Sequence, residues 1–366
     1  MSNPSDGEIP RPATGGLEFG LDSFGEHAID ENGRRETDAE AVRRIVDDAV
    51  LAESVGIDIF SMGEHYRSEH MDSAGHIILG VIAGRTERIR LGTSVTVLST
   101  RDPVRLYAEF ATLDAASNGR AQLVLGRASS VESFPLFGFD LAEYETLFEE
   151  KLDLFTRLLR DQPVTWSGSS RAPLREQFVY PAIAPGAIPA WIGVGGSPQS
   201  VVRAARYGLP LMLAIIGGHP TRFVPFVELY ERALEQFGQP PLPIGMHSLG
   251  MIADTDEEAQ DVHWPIYESI MRIRGGERGF LPPTRERYEM DVTEGALFVG
   301  SPETVATKIA AAARDLHLSR FDLKYDATDS PIAAQRRSIE LFGREVIPRV
   351  RELFAGHPTP PAEVNA

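Results

Sequence analysis

"IRLGTSVTVLSTRDPVRLYAEFATLDAASNGRAQLVLG" (Ile89–Gly126) holds a complete strand, helix and strand in thirty-eight residues. Ile89–Leu98 is an apolar run rich in β-branched residues, the signature of a strand. Asp102 and Pro103 then supply the residue types favoured at the N-cap and first position of a helix. Ala121–Gly126 is a second short apolar run that closes on glycine.

The same pairing recurs in both directions. Upstream, Leu17–Gly25 alternates apolar and polar residues, and the next segment carries Val42, Ile45, Ala49 and Ala52 at helical spacing before stopping at Gly56. Ile57–Gly63 then precedes a helix around Ile77–Ala83. Downstream come a helix from about Leu141 to Leu159 and the runs Pro189–Gly195, Leu209–Ile216, Leu242–Ala253 and Arg320–Asp326, with helical stretches after each. Eight strands alternating with helices predict an α/β fold, a (β/α)8 TIM barrel, with an open doubly wound sheet as the competing architecture. Segments of about 162–189 and 264–300 exceed ordinary connections and are expected to be insertions over the carboxyl-end face of the barrel. A single domain is expected over residues 17–355, after a disordered polar leader (1–16) and before a flexible tail (356–366).

Composition narrows the function. The chain has 366 residues, 42% of them apolar, enough for one large core. Its 36 basic against 53 acidic residues give a net charge of −17, which disfavours nucleic acid or an anionic membrane as partner and favours a small-molecule substrate. With no cysteine, disulfides, thiolate metal sites and a Cys nucleophile are excluded. The first residues lack the pattern of a signal peptide, and the longest apolar run falls short of a membrane span, so a soluble cytoplasmic protein is expected.

In a barrel of this kind the loops after the strands gather on one face, so the candidate site residues are those ending each strand. They are Phe24 after the first strand, Glu64 and His65 after the second, Ser94, Val95 and Thr96 on the third, Arg127 and Ser129 after the fourth, Gly195, Gly196 and Ser197 after the fifth, and Gly217 and Gly218 after the sixth. "SMGEHYRSEH" (Ser61–His70) places two histidines near two carboxylates, which raises a metal reading. His65 and His70 are five apart, unlike the helical zinc motifs, so no metal is expected. A surface salt-bridge cluster of Glu64, Arg67 and Glu69 is the plain alternative to an acid/base role for His65.

"WIGVGGSPQSVV" (Trp191–Val202) ends a strand on two glycines and opens a helix with Ser197 and Pro198, an arrangement that leaves backbone N–H groups facing an anion. It lacks the third glycine of a dinucleotide fingerprint, and a phosphate ester fits it better. "FVGSPETVATKIA" (Phe298–Ala310) repeats the Gly-Ser-Pro start without the doubled glycine, so Ser-Pro alone does not decide the matter. "IIGG" (Ile215–Gly218), ending the next strand, adds a second glycine turn that lets backbone approach a ligand.

Taken in order, "GIDIFSMGEHYRSEH", "IRLGTSVTVLSTRDPVRLYAEFATLDAASNGRAQLVLGRA", "SFPLFGFD" and "WIGVGGSPQSVVRAARYG" resemble the bacterial luciferase-like flavin-dependent monooxygenases over about Leu17–Ala327. The resemblance implies a barrel that binds FMN, oxidised or reduced, with its phosphate on Gly195, Gly196 and Ser197. It implies a bulged third strand beside the flavin with a cis peptide between Ser94 and Val95, a flavin-contacting Arg127, and a catalytic role for His65, which Glu64 is expected to orient. The family's second histidine is Tyr66 here and its cysteine is Gly126, so light emission is not implied. What is implied is an oxidation of a small organic substrate by reduced FMN and O2, with a separate flavin reductase as partner and a homodimer as assembly. Phe24, Phe134 and Phe137 have the bulk to cover a flavin ring, and Trp264 and Tyr267 lie where a lid would touch substrate. Hydride transfer with flavin or deazaflavin, a non-catalytic flavin-binding protein and a metal-dependent hydrolase are the alternatives.

Overall fold

The computed structural model describes residues 16–127, 131–160, 162–184, 186–275 and 282–355. The expected leader and tail, and Ser129, lie outside these residues, Gly16 at the leader's end excepted. Eight strands form a ring: β1 (Glu18–Ser23), β2 (Ile59–Met62), β3 (Arg90–Val97), β4 (Leu123–Gly126), β5 (Ala190–Val194), β6 (Leu211–Ala214), β7 (Ile244–Ile252) and β8 (Arg320–Lys324). Each pairs in parallel with its neighbour, β6 pairs with β7, and β8 closes on β1. Closure rules out the open doubly wound sheet.

Helices between the strands are α1 (Asp38–Ser54), α2 (Gly75–Ala83), α3 (Pro103–Ser117), α4 (Tyr144–Arg160), α5 (Pro198–Tyr207), α6 (Val224–Gln236), α7 (Asp256–Ile270), α8 (Arg285–Thr293), α9 (Pro302–Asp315), α10 (Ile332–Leu341) and α11 (Ile347–Ala355). Local chemistry sets their starts. Asp102 accepts from the backbone N–H groups of Val104 and Arg105, both at 3.0 Å, with Pro103 at the first position. Thr37 and Glu40 form a reciprocal capping box at α1. The apolar faces of these helices and the outward side chains of the strands make one continuous core.

Inside the ring the packing is partly polar. Arg320 donates to both oxygens of Asp322 (2.8 and 2.6 Å) and to Gln122 Oε1 (3.2 Å), and its guanidinium lies 5.3 Å over the Trp191 ring. Gly20 makes room for this pair, since a Cβ there would fall 2.3 Å from Asp322 Oδ1. Both charged groups are fully buried, which only a bidentate, hydrogen-bonded pair tolerates.

The first long insertion is an antiparallel hairpin, Val164–Trp166 with Leu174–Gln177. The second begins earlier than its sequence suggests. Trp264 and Tyr267 fall inside α7, which starts at Asp256 directly after β7, and a short strand, Phe298–Gly300, adds to the end of β7. No helix among the described residues is long and apolar enough to cross a membrane.

Candidate active site at the carboxyl end of the barrel

The strand ends gather Phe24, His65, His70 and His247 around one another. Phe24 lies 4.6 Å from His65, 5.9 Å from His70 and 6.0 Å from His247, ring centre to ring centre. The Lys324 ammonium stands 4.8 Å from the same phenyl centre. Residues 64–73 form a loop, not a helix, so the spacing that would turn His65 from His70 does not apply, and their rings meet edge to face at 4.6 Å.

His65 is held by Asp72, which the sequence reading did not single out. Asp72 Oδ1 accepts from the His65 backbone N–H and Oδ2 lies 2.8 Å from Nδ1, leaving Nε2 as the ring's other polar atom. Glu64, expected to orient His65, has a different task. Its Oε2 accepts from the Val97 backbone N–H at 2.8 Å, and its Oε1 accepts from Tyr66 (2.6 Å) and Arg101 (3.2 Å). It thus ties the loop after β2 to the end of β3, and a carboxylate so placed cannot also clamp the imidazole. Burial pushes its carboxyl above the ordinary range, against the pull of Arg101. The salt-bridge reading holds in part: Arg67 pairs with Glu69 (2.6 Å) and with Glu132 (2.7 Å).

One ligand atom from each of His65, His70 and Asp72 lies within 4.8 Å of the others, the geometry of a metal cluster. Both Asp72 oxygens already serve His65, however, and His70 Nε2 is 3.2 Å from Glu26.

β3 is irregular where expected. The peptide between Ser94 and Val95 is cis, and the pairing with β4 shifts between Ser94 and Thr96. Thr96 is buried and its hydroxyl meets that of Thr93 at 2.8 Å. Val95 projects into the barrel against Val124, Trp191 and Met212. Gly126 and Gly193 admit it, for a Cβ on either would fall 2.4 or 2.9 Å from a Val95 methyl.

The two Gly-Ser-Pro starts differ decisively. At Ser301 the helix head is already filled by a protein carboxylate: Asp256 Oδ1 accepts from the Ser301 N–H (2.6 Å) and Oδ2 from the Thr304 hydroxyl (2.9 Å). At Ser197 the side chain caps α5 through the Ser200 N–H, and among the described residues nothing lies within 4 Å of where a Cβ on Gly195 or Gly196 would stand. Gly196 has φ +129°, a conformation reserved for glycine. Arg203 reaches the first turn of α5 through Ser200 Oγ (3.4 Å) and shares Glu145 with Arg127, which also lies over the Tyr144 ring. A helix head left open in this way can hold a phosphate; Arg203 beside it is paired with Glu145 and Glu149, and Arg127 with Glu145.

The remaining candidates divide. Gly217 and Gly218 form an exposed turn after β6, but Arg222 fills the space beside Gly218. Phe134 is buried against Tyr144 and belongs to the core, whereas Phe137 is half exposed and meets Tyr66 at 5.0 Å. Trp264 and Tyr267 pack with Tyr288 in a separate aromatic cluster between α7 and α8. A cavity of about 740 Å³ opens on the β8 and β1 side, lined by Val262, Pro265, Ile266 and Ile270 of α7 and by Arg67 and Glu69. None of the glycine turns lines it; the loop that carries His65 forms one of its walls.

Known proteins resemble this chain in sequence or in fold. An N-acetyl-S-alkylcysteine monooxygenase of Bacillus subtilis is 26% identical over 79% of this chain and 88% of its own. Two solved structures have the same fold. The FMN complex of the oxygenating constituent of 3,6-diketocamphane monooxygenase from Pseudomonas putida superimposes with a TM-score of 0.73 at 19% identity, covering 91% of this chain and 98% of that one. The coenzyme F420-dependent tetrahydromethanopterin reductase of Methanopyrus kandleri gives 0.68 at 18%, covering 92% and 100%. Residues 23–319 match the family model described as luciferase-like monooxygenase, and the chain is an enzyme belonging to that family.

Proposed function

We propose that this enzyme is a flavin-dependent monooxygenase that binds FMN with its phosphate at the head of α5, receives it reduced from a separate reductase, and oxidises a small organic substrate with O2. The open glycine turn at Gly195–Ser197, set against the filled copy at Ser301, carries this reading. Bound in reduced form, FMN supplies the electrons that activate oxygen.

The residues of this chain do the rest. The N–H groups at the head of α5 hold the phosphate, with Arg127 and Arg203 beside them. Val95, fixed by its glycine neighbours, presents a rigid apolar ridge in the mouth. His65, its Nδ1 proton held by Asp72, offers Nε2 to take or return a proton. Leu136, Phe137 and Ile216 stand exposed around the mouth, an apolar rim suited to excluding water once ligand is bound. The 740 Å³ cavity under α7 has the size of a small-molecule site and an apolar wall, and it takes the substrate in this reading.

Fluorescence titration tests the cofactor. Gly195→Asp is the variant of choice, because Gly196 cannot take a side chain without backbone strain. Wild type binding FMN but not riboflavin, with binding lost in Gly195→Asp, is the expected result; binding of neither flavin overturns the reading. The similarity to an F420-dependent reductase favours one rival, hydride transfer with a deazaflavin, and substrate-dependent oxygen uptake separates the two.

A further inference from the structure

The mouth contains a second histidine–aspartate pair. His247 on β7 lies opposite Ala214, the last residue of β6, and is therefore level with the rim on that side. Its Nδ1 is 3.0 Å from Asp22 Oδ2. Asp22 on β1 and Phe24 just after its end stand two apart and both meet His247, so the pair lies one layer below Phe24. The His247 ring stacks against that phenyl, whose other neighbour at 4.6 Å is His65.

Asp22 is fully buried, yet among the described residues no donor is aligned for a hydrogen bond to either of its oxygens, and the contact with His247 Nδ1 lies off the hydrogen-bond direction. A buried carboxyl group so poorly served calls for a reason beyond packing. Burial raises it most, His247 pulls it down, and Asp322 and Asp326 raise it further, which leaves it pushed up to about 6. The charged and titratable groups near the pair are Asp322 with its partner Arg320, Lys324 and Asp326 on and after β8, and His65, Asp72, His70 and Glu26 around Phe24; on β6, Ala214 stands opposite His247. A buried carboxyl raised in this way, facing a histidine at a strand end, is the kind of pair found where protons pass to a ligand.

We propose that His247, with Asp22 3.0 Å from its Nδ1, is a second proton-exchanging residue of this site, acting from below Phe24 while His65 acts from beside it. The step is a proton transfer only. Nε2 takes a proton from an acidic group of the bound ligand, Nδ1 stays turned to Asp22, and the proton returns by the same path. The inference rests on FMN binding in this mouth.

Two measurements on the full chain test it. The first follows the histidine ring signals by NMR between about pH 5 and 9, with His247 identified by its loss in His247→Gln. The second measures FMN affinity and the protons taken up on binding, by calorimetry in buffers of different ionisation enthalpy. The His247 signal should titrate, shift in Asp22→Asn, and shift again with FMN. Wild-type affinity should change at least about threefold with pH, half a unit of linkage, and that change should vanish in His247→Gln. A pH-invariant His247 signal, or the same proton uptake in wild type and His247→Gln, overturns the proposal and leaves FMN binding standing. If wild type does not bind FMN at all, both fall together. Asp22→Asn guards against a variant that fails to fold.

Discussion

Asp72 grips His65 twice, one carboxylate oxygen on the backbone N–H and the other on ring Nδ1, both at 2.8 Å. The double contact fixes the ring's direction and its tautomer together. His65→Ala is expected to lower turnover by about 10²–10⁴-fold, and Asp72→Asn by a smaller factor of about 10 or more. FMN affinity should hold in both. Affinity falling as far as turnover would show that Asp72 only shapes the loop.

Gly126 has no room for a side chain, because Val95 occupies it. Gly126→Ala should cost about 1–3 kcal/mol through overpacking, read by chemical denaturation. Val95→Ala added to it should recover part of that loss. Simple additivity of the two changes would contradict the packing described.

His263 is buried between α7 and α8, with Nδ1 3.1 Å from the Tyr288 hydroxyl. Burial, aided by Lys324, pushes it down to about 4. An unfolded chain takes up this proton near 6.5 and the folded one only near 4, so stability from this group is present above 6.5 and lost as pH falls towards 4. Protection factors in α7 and α8, taken relative to the intrinsic exchange rate at each pH, should therefore fall over that window. His263→Phe should flatten the response.

Asp256 fills the head of α9 and ties it to α7. Asp256→Ala should destabilise the enzyme by about 1–2 kcal/mol, as the loss of a helix cap does. Burial pushes this carboxyl up, but the bonds from Ser301 and Thr304 outweigh it and hold it below its ordinary value. Its stabilisation is then present above the unfolded carboxylate range and disappears as pH drops beneath it. A thermal melt at neutral pH and again below pH 3.8 should show the variant converging on wild type in acid.

The barrel was legible because most of the strands are short apolar runs bounded by glycine or proline, each followed by a helical stretch; Ile89–Leu98 and the charged Arg320–Asp326 lack those bounds. Helix starts such as Asp102-Pro103 were legible for the same local reason. The doubled glycine at Gly195 and the candidacy of His65 were also visible. What escaped depends on distance. Asp72 reaches His65 because the loop doubles back, and the helical spacing test for His65 and His70 failed because that loop is not a helix. Nothing in the Ser301 segment announces that Asp256, 45 residues earlier, fills its helix head. Asp22 and His247, on separate strands far apart in the chain, left no trace, since each sits beside an ordinary serine in its strand.

The Arg320–Asp322 pair bears on how the ring closes. β8 is buried on both faces, so alternation of apolar and polar residues against water cannot align it with β1. A slip by one residue would turn Phe321 and Leu323 inward against Gln122 and Ser61 and force both charges outward among the apolar helices. Such a misaligned seam would carry the pair, still joined, away from Gln122 and Gly20 and bury it in an apolar layer that offers it no further partner. The ion pair thus acts as a key for the last strand, admitting one alignment when the two ends of the barrel meet.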